Sequence, residues 1–280
     1  MTSPLGQALR DIGVMLRRAG VEEPEREAVA LAAWALDAPV AAMLAHPERM
    51  LSDDEETRLR DAITRRAARE PFAYITGRKE FYGLELVVDR RVIVPRPETE
   101  HVVEQTLAIA REFEPPVIAD IGTGSGCIAL ALAANLERAV IYATDSSQDA
   151  LEVAAANVRR HNLGDRVRLL RGDLLDPLPE SVHIIVSNPP YIASGEFPRL
   201  MPEVRDYEPR EALDGGADGL AVIRRLIDEA PQRLRDHGAL VMEIGADQGP
   251  RVLALARTRF AEARTEHDLA GLDRVVVARV

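Results

Sequence analysis

A single cysteine, Cys127, stands in 280 residues, so no internal disulfide framework can form and the chain suits a reducing compartment. No apolar run nears the ~20 residues that a membrane-spanning helix needs, so no membrane role is expected. The opening Met1-Thr2-Ser3-Pro4 has no basic segment followed by an apolar core. No signal peptide is therefore expected, and the cytoplasm is the expected location. Lysine is nearly missing: Lys79 is the only one, and arginine carries the rest of the positive charge. No block of basic residues occurs; Arg17-Arg18 and Arg65-Arg66 sit among acids, and the net charge is −11. A protein that grips phosphates usually carries a basic face, so nucleic acid is not expected as the direct substrate. The six histidines, His46, His101, His161, His183, His237 and His267, are scattered without metal-ligand spacing, and no metal is expected.

What is present is ordinary for a globular protein: 46% hydrophobic and 29% charged residues, enough for one large or two ordinary domains. Residues 1–77 read as helices only. Leu5, Leu9, Ile12 and Leu16 recur at helical spacing, and Pro24 suits the first turn of a second helix. Ser52-Asp53-Asp54-Glu55 forms a capping box before Leu59, Ile63 and Ala67. Trp34 is expected in the core of this bundle. Residues 78–98 read as a β-hairpin linker, with Phe81–Val88 and Val92–Val94 flanking Asp89-Arg90-Arg91. In the remaining domain, 99–280, a helix carries Val102, Val103, Thr106, Leu107 and Ala110 at helical spacing, and from Val117 onward strands and helices alternate. Strands are expected at Val117–Ile121, Ala139–Thr144, Val167–Leu170, His183–Ser187, Ala239–Ile244, Ala261–Glu266 and Arg274–Val280. Helices are expected at Cys127–Asn135, Ser147–Asn162, Leu220–Leu234 and Gly249–Phe260. The pattern is that of an α/β fold: a seven-stranded, doubly wound, Rossmann-like parallel sheet carrying a small N-terminal helical bundle. The longest irregular stretch, Ile192 to Gly219, reads as a lid or recognition loop.

The first strand runs into Gly122-Thr123-Gly124-Ser125-Gly126. Glycines there let the backbone turn sharply and a ligand come close, while the following helix offers unpaired N–H groups. A nucleotide-like cofactor or a plain tight turn would each use such a loop. Asp145, at the end of the second strand, is placed to accept the two hydroxyls of a ribose; a helix cap is its other reading. Asp173, after the third strand, would accept from an adenine amino group or simply form a turn.

Asn188-Pro189-Pro190-Tyr191 follows the apolar run Ile184-Ile185-Val186-Ser187. A residue before proline is held extended, so Asn188 is restrained. Its side chain offers one acceptor and two N–H donors. The prolines present fixed carbonyls without N–H groups, and Tyr191 adds a flat face. This is a grip for a planar nitrogen with hydrogens to donate. At the carboxyl edge of the sheet, beside a nucleoside pocket, it favours methyl transfer from S-adenosylmethionine onto nitrogen over dinucleotide chemistry.

These residues resemble the class I S-adenosylmethionine-dependent methyltransferases, and more narrowly the protein-(glutamine-N5) methyltransferases of peptide chain release factors (the HemK/PrmC family). The resemblance runs the length of the chain. It is carried by Glu70-Pro71-Phe72-Ala73-Tyr74-Ile75-Thr76-Gly77, Lys79-Glu80-Phe81, Pro95-Arg96-Pro97-Glu98-Thr99-Glu100, Tyr207-Glu208-Pro209-Arg210, Leu213, Gly215-Gly216, Asp218-Gly219-Leu220 and Asp268-Leu269-Ala270-Gly271 with Asp273-Arg274-Val275-Val276. The Asn-Pro-Pro-Tyr stretch alone is shared with adenine-N6 methyltransferases of RNA and DNA, which remain the rival reading. The resemblance implies that Gly122 to Gly126, Asp145, Asp173, Leu174 and Asn188 hold S-adenosylmethionine. Leu174 stands where relatives often have an aromatic against adenine. It further implies that Asn188, Pro189, Pro190 and Tyr191 hold the glutamine of a Gly-Gly-Gln loop. Residues 1–77 would recognise a class 1 release factor, and a monomer is expected. For the chemistry, the Asn188 side-chain oxygen and the Pro189 carbonyl are expected to accept the two amide hydrogens, with Tyr191 packed on the amide plane. Glu98, Thr99 and Glu100 are read equally as a helix cap or as facing substrate. Glu243 and the lid pair Tyr207 and Glu208 are left without a fixed role.

Overall fold

Apolar residues at helical spacing at one end of the chain, and short apolar runs alternating with helices over the rest, make two separate cores. The computed structural model describes residues 4–268 and 270–280; Met1–Ser3 and Leu269 of the C-terminal signature lie outside the described residues. The chain divides into one unit of Met1–Gly77 with Met201–Tyr207 and a second of Arg78–Leu200 with Glu208–Val280.

The first unit holds α1 (Leu5–Arg18), α2 (Pro24–Ala35), α3 (Val40–Ala45), α4 (Asp53–Ala67) and α5 (Phe72–Thr76). Leu5, Ile12, Leu16, Leu31, Leu59 and Ile63 form its core. The capping box is present in full: Glu55 N donates to Ser52 Oγ, and Ser52 N donates to the Glu55 carboxylate. Trp34 is not in the core; it is 40% exposed. The buried stripe of α2 is Ala28, Leu31, Ala32 and Ala35, and residue 34 lies one position, about 100°, off that stripe. The separate segment Met201–Tyr207 is tied to the helices by polar bonds. Glu203 accepts from Arg66 Nη1 at 3.0 Å and Arg69 Nε at 2.6 Å, and the Tyr207 hydroxyl donates to Ala68 O at 2.7 Å.

The second unit begins with β1 (Arg78–Phe81) and β2 (Leu84–Val87), paired antiparallel. The hairpin turn is at Tyr82-Gly83, not at Asp89-Arg90-Arg91 as the sequence suggested. Both turn residues have positive φ, 51° and 75°, as the favoured two-residue hairpin turn requires. Val92 and Val94 are apolar because they are buried, without joining a strand. Then follow α6 (Glu100–Ala110), β3 (Val117–Ile121), α7 (Cys127–Asn135), β4 (Val140–Asp145), α8 (Gln148–Arg160), β5 (Val167–Arg171) and β6 (Val182–Ser187). After α9 (Pro202–Arg205), within the Met201–Tyr207 segment, come α10 (Ala221–Glu229), β7 (Leu234–Glu243), α11 (Gly249–Ala256), β8 (Glu262–His267) and β9 (Asp273–Arg279). The α10 helix ends five residues before the expected Leu234, because Pro231 cannot continue a helix interior and the chain passes through a 3₁₀ turn into β7.

Seven strands form one sheet in the order β5-β4-β3-β6-β7-β9-β8. The first five are parallel, but β9 runs antiparallel to both β7 and β8, so the sheet is mixed rather than all parallel. The short connection from β8 to β9 permits only a hairpin. Both faces of the sheet are covered: one core contains residues of α6 and α7, the other residues of α10 and α11. From β3 the chain goes outward to β4 on one side, and β6 flanks β3 on the other. Such a switch of direction opens a crevice at the carboxyl ends of the strands.

Candidate active site

Register brings the expected residues together. Ile121 at the end of β3 is level with Thr144 of β4 on one side and Ser187 of β6 on the other. The residues that follow, Gly122, Asp145 and Asn188, therefore emerge at one edge. They surround a cleft of about 200 Å³, which Gly124, Asp173, Leu174 and Pro190 also line. Thr123, Ser125 and Gly126 do not line it. Thr123 and Ser125 are buried beneath the loop, where Thr123 Oγ1 donates to Asp120 Oδ2 at 2.6 Å. A Cβ on Gly126 would sit 3.2 Å from Leu130 Cδ1, so that glycine serves helix packing.

All three loop glycines have positive φ, but a Cβ on Gly122 or Gly124, unlike one on Gly126, would meet nothing within 4 Å, so bare backbone faces open space there. The loop is fixed from beside it: Gly124 N donates to Asp145 Oδ2 and Ser147 N to Asp145 Oδ1, both at 2.9 Å. Each carboxylate oxygen keeps a further lone pair for a donor in the cleft. Burial raises the Asp145 carboxyl above its ordinary value, and the backbone donors of Ser147 and Gly124 oppose that rise. Asp173 is engaged by Arg225, whose Nη2 donates to Oδ2 at 2.8 Å.

Sequence reasoning missed three parts of the cleft wall: Arg91–Ile93 from the stretch after the hairpin; Pro209, Glu211 and Ala212; and Val222 with Arg225 of α10. Nothing in the sequence singles out Val222 or Arg225; the reading of Ile192–Gly219 as a lid or recognition loop and the Pro209-Arg210 signature point toward the second of these parts. The same stretch of chain ends in a closed loop: Ile192 N donates to Leu213 O at 3.0 Å and Gly215 N to Ile192 O at 2.8 Å. A Cβ on Gly215 would fall 2.7 Å from Pro190 O, and one on Gly219 would fall 2.4 Å from Tyr191 O. Only glycine allows the loop's return to lie so close against the Pro190-Tyr191 backbone.

At the other end of the motif, Asn188 Nδ2 donates to Thr99 Oγ1 at 3.1 Å. Thr99 Oγ1 donates to Glu243 Oε2 at 2.6 Å, and the Tyr191 hydroxyl donates to Glu243 Oε1 at 3.1 Å. Pro189 is buried and Tyr191 half-buried, and neither is among the residues that line this cleft. Of the trio Glu98, Thr99 and Glu100 at the start of α6, Thr99 meets Asn188, while Glu100 Oε1 accepts from Tyr82 N at 2.9 Å. Cys127 is half-buried with its thiol pushed up to about 12 by burial, which leaves it un-ionised and suits a packing residue.

A doubly wound sheet ending in a glycine loop, an acid on the next strand and a ligand-sized cleft fit a nucleotide-cofactor enzyme, and a family model described as the methyltransferase small domain, matching residues 104–201, makes it a methyltransferase. A model of the PrmC N-terminal domain matches residues 7–77. The release factor glutamine methyltransferase of Moorella thermoacetica is 45% identical over 277 residues, covering 98% of each chain. That of Geobacter sulfurreducens is 41% identical over 267 residues, covering 95% of this chain and 93% of its own. The chain belongs to the release factor glutamine methyltransferase family. Among solved structures, a methyltransferase from Pyrococcus furiosus matches with a TM-score of 0.51 at 17% identity, covering 70% of this chain and 89% of its own. The N-terminal domain of human METTL16, in complex with SAH, matches with a TM-score of 0.50 at 21% identity, covering 70% and 76%. At those identities the likeness is one of fold.

Proposed function

We propose that this enzyme methylates the side-chain amide nitrogen, N5, of the glutamine in the Gly-Gly-Gln motif of class 1 release factors, with S-adenosylmethionine as donor. The observation that carries the reading is the placing of Asn188: it lines the cleft while its Nδ2 is taken up by Thr99, which leaves Oδ1 as an acceptor for a substrate amide.

The cleft suits the donor. Gly122 and Gly124 offer bare backbone to open space, and Asp145 keeps lone pairs for two hydroxyls. Leu174 and Val222 offer aliphatic surface, and Asp173 a carboxylate for an amino group. When bound, the sulfonium cofactor supplies the electrophilic methyl carbon. The protein's part is alignment. An amide nitrogen is a weak nucleophile because its lone pair is delocalised. Asn188 Oδ1 and the Pro189 carbonyl accept its two hydrogens, exclude water from it and turn its lone pair into the cleft. Alignment of this kind is worth about 7–11 kcal/mol of barrier, and acceptors facing a nitrogen that becomes positive add to it. Tyr191 supports the amide plane. Residues 1–77 recognise the release factor, and the enzyme acts as a cytoplasmic monomer.

Incubation with S-adenosylmethionine and either a release factor or RNA decides the matter. A gain of one methylene on the glutamine of the Gly-Gly-Gln peptide, seen by mass spectrometry, is expected. Methylated adenine without methylated glutamine would refute the reading. The adenine-N6 alternative is not favoured, since relatives matched over nearly the whole chain are named for glutamine.

A further inference from the structure

The carboxylate of Glu243 takes no part in the scheme above, yet it stands at the end of a hydrogen-bond chain that reaches the cleft. Glu243 closes β7 and is 1% exposed. Burial raises its carboxyl above the ordinary carboxylate value and the Glu98 charge adds to the rise, while the Thr99 and Tyr191 hydroxyls and the Arg274 charge oppose it. Both carboxyl oxygens are met as acceptors, Oε2 by the Thr99 hydroxyl and Oε1 by the Tyr191 hydroxyl. The hydroxyl of Thr99 has one hydrogen, and that hydrogen points to Glu243. Toward Asn188, Thr99 can then offer only a lone pair. The Asn188 amide must meet it with the NH₂ side, which is the geometry present. Oδ1 is left to face the cleft. The two faces of a carboxamide have nearly the same shape, so packing discriminates poorly between them; the direction of the hydrogen-bond chain does so.

Thr99 has no competing duty. It precedes α6 as the cap residue, but its side chain makes no capping bond. Threonine is a good helix cap, so a threonine whose hydroxyl is turned 144 residues along the chain to a buried glutamate is set up for that contact.

We infer that Glu243 is a positioning residue for methyl transfer: through Thr99 it dictates which atom of Asn188 meets the substrate amide, and through the Tyr191 hydroxyl it holds the neighbouring ring. The inference rests on the reading of Asn188 as the amide acceptor. Without Glu243 the Thr99 hydroxyl is free to donate to Asn188 Oδ1, and the amide then presents donors to a substrate that also has donors.

The test uses the full chain with intact release factor and compares kcat with the Kd for S-adenosylmethionine. Thr99→Val and Glu243→Met are each expected to lower kcat more than ~10-fold with cofactor Kd within ~3-fold of wild type. Glu243→Met replaces the buried carboxyl by an apolar chain of similar length and leaves two hydroxyls without an acceptor, so urea unfolding of the variant is measured beside its kinetics to separate lost stability from lost kcat. Thr99→Ser restores the hydroxyl and is expected to recover most of the loss, which a purely steric role for the side chain would not predict. Because both residues act on one amide, the double variant Thr99→Val/Glu243→Met is expected to stay within ~3-fold of the worse single variant instead of multiplying the two losses. Wild-type transfer that survives Thr99→Val, or losses that multiply in the double variant, would overturn the inference alone. No transfer to the release factor by wild type would overturn the functional reading and this inference with it.

Discussion

Asn157 pairs with Val87 as a neighbouring strand would. Val87 N donates to Asn157 Oδ1 at 2.7 Å, and Asn157 Nδ2 donates to Val87 O at 2.9 Å. The second hydrogen of the same amide goes to Ser125 O, also at 2.9 Å, inside the glycine loop. One fully buried side chain on α8 thus joins the hairpin's last strand to the loop that floors the cleft.

Asn157→Ala is accordingly expected to leave one N–H and two carbonyls without partners, and to lower stability by about 2–4 kcal/mol. Asn157→Asp should be worse, because a carboxylate would face the two carbonyls with no hydrogen to give. Urea unfolding of the three proteins checks the order. A stability for Asn157→Asp equal to wild type would show that the amide hydrogens contribute nothing.

Local pattern made much of this unit readable. The Val117–Ile121 strand and the Cys127–Asn135 helix lie where the apolar runs put them. Glycine spacing and the prolines marked Gly122 and Asn188 as a pair of sites, and β3–β6 register makes them neighbours. What stayed hidden depends on contacts between distant residues. Arg225 on Asp173 spans 52 positions and Thr99 on Glu243 spans 144, and neither pair has a local signature. The hairpin turn was misplaced for a related reason. Val92-Ile93-Val94 is a β-branched run of the kind a strand favours, yet Val92 and Val94 lie buried outside any strand. Trp34 is apolar, but its angle on α2 turns it away from the buried stripe.

Asn188→Ala removes the proposed acceptor while leaving the glycine loop and Asp145 in place. The expected outcome is a loss of kcat well beyond ~10-fold with S-adenosylmethionine affinity nearly unchanged, the pattern of a group that acts in the transition state. Single-turnover methylation alongside calorimetric cofactor binding separates the two quantities. A kcat within ~10-fold of wild type would remove Asn188 from the centre of the mechanism.

Gly124→Ala tests whether the bare loop backbone receives the cofactor. Its φ of 55° is strained for any L side chain, yet the new methyl would meet no protein atom within 4 Å. Gly83, at 75° and equally uncrowded, lies in the hairpin turn and supplies the control. Each substitution is expected to cost about 1 kcal/mol of folding stability. Only Gly124→Ala should also weaken cofactor binding, by more than ~10-fold, since its methyl takes up space in the cleft. Equal cofactor affinity in the two variants would mean that the ligand does not approach this loop.

Asp120 gives the unit a pH dependence whose sign can be stated. It is fully buried in β3; its Oδ2 accepts from Thr123 Oγ1 and Ala129 N, while Oδ1 meets no donor among the described residues. Burial pushes its carboxyl up to about 7, the hydrogen bonds from Thr123 and Ala129 oppose the rise, and the Asp145 charge adds to it. Between the unfolded value near 4 and about 7 the folded chain therefore holds a proton that the unfolded chain has released, so this group lowers stability as pH rises across that window. Above about 7 both states are ionised and its effect levels off. Asp120→Asn keeps the acceptor for Thr123 and Ala129 and places an unpartnered NH₂ where Oδ1 was, which adds an offset independent of pH. The difference in unfolding free energy, variant minus wild type, is thus expected to rise by on the order of a few kcal/mol from pH 4 to pH 7.5 and then to flatten. Denaturant titrations of both proteins across that range, without cofactor, measure it. A difference that stays flat from pH 4 to 7.5, or falls, would mean that Asp120 is already ionised in the folded chain at acid pH.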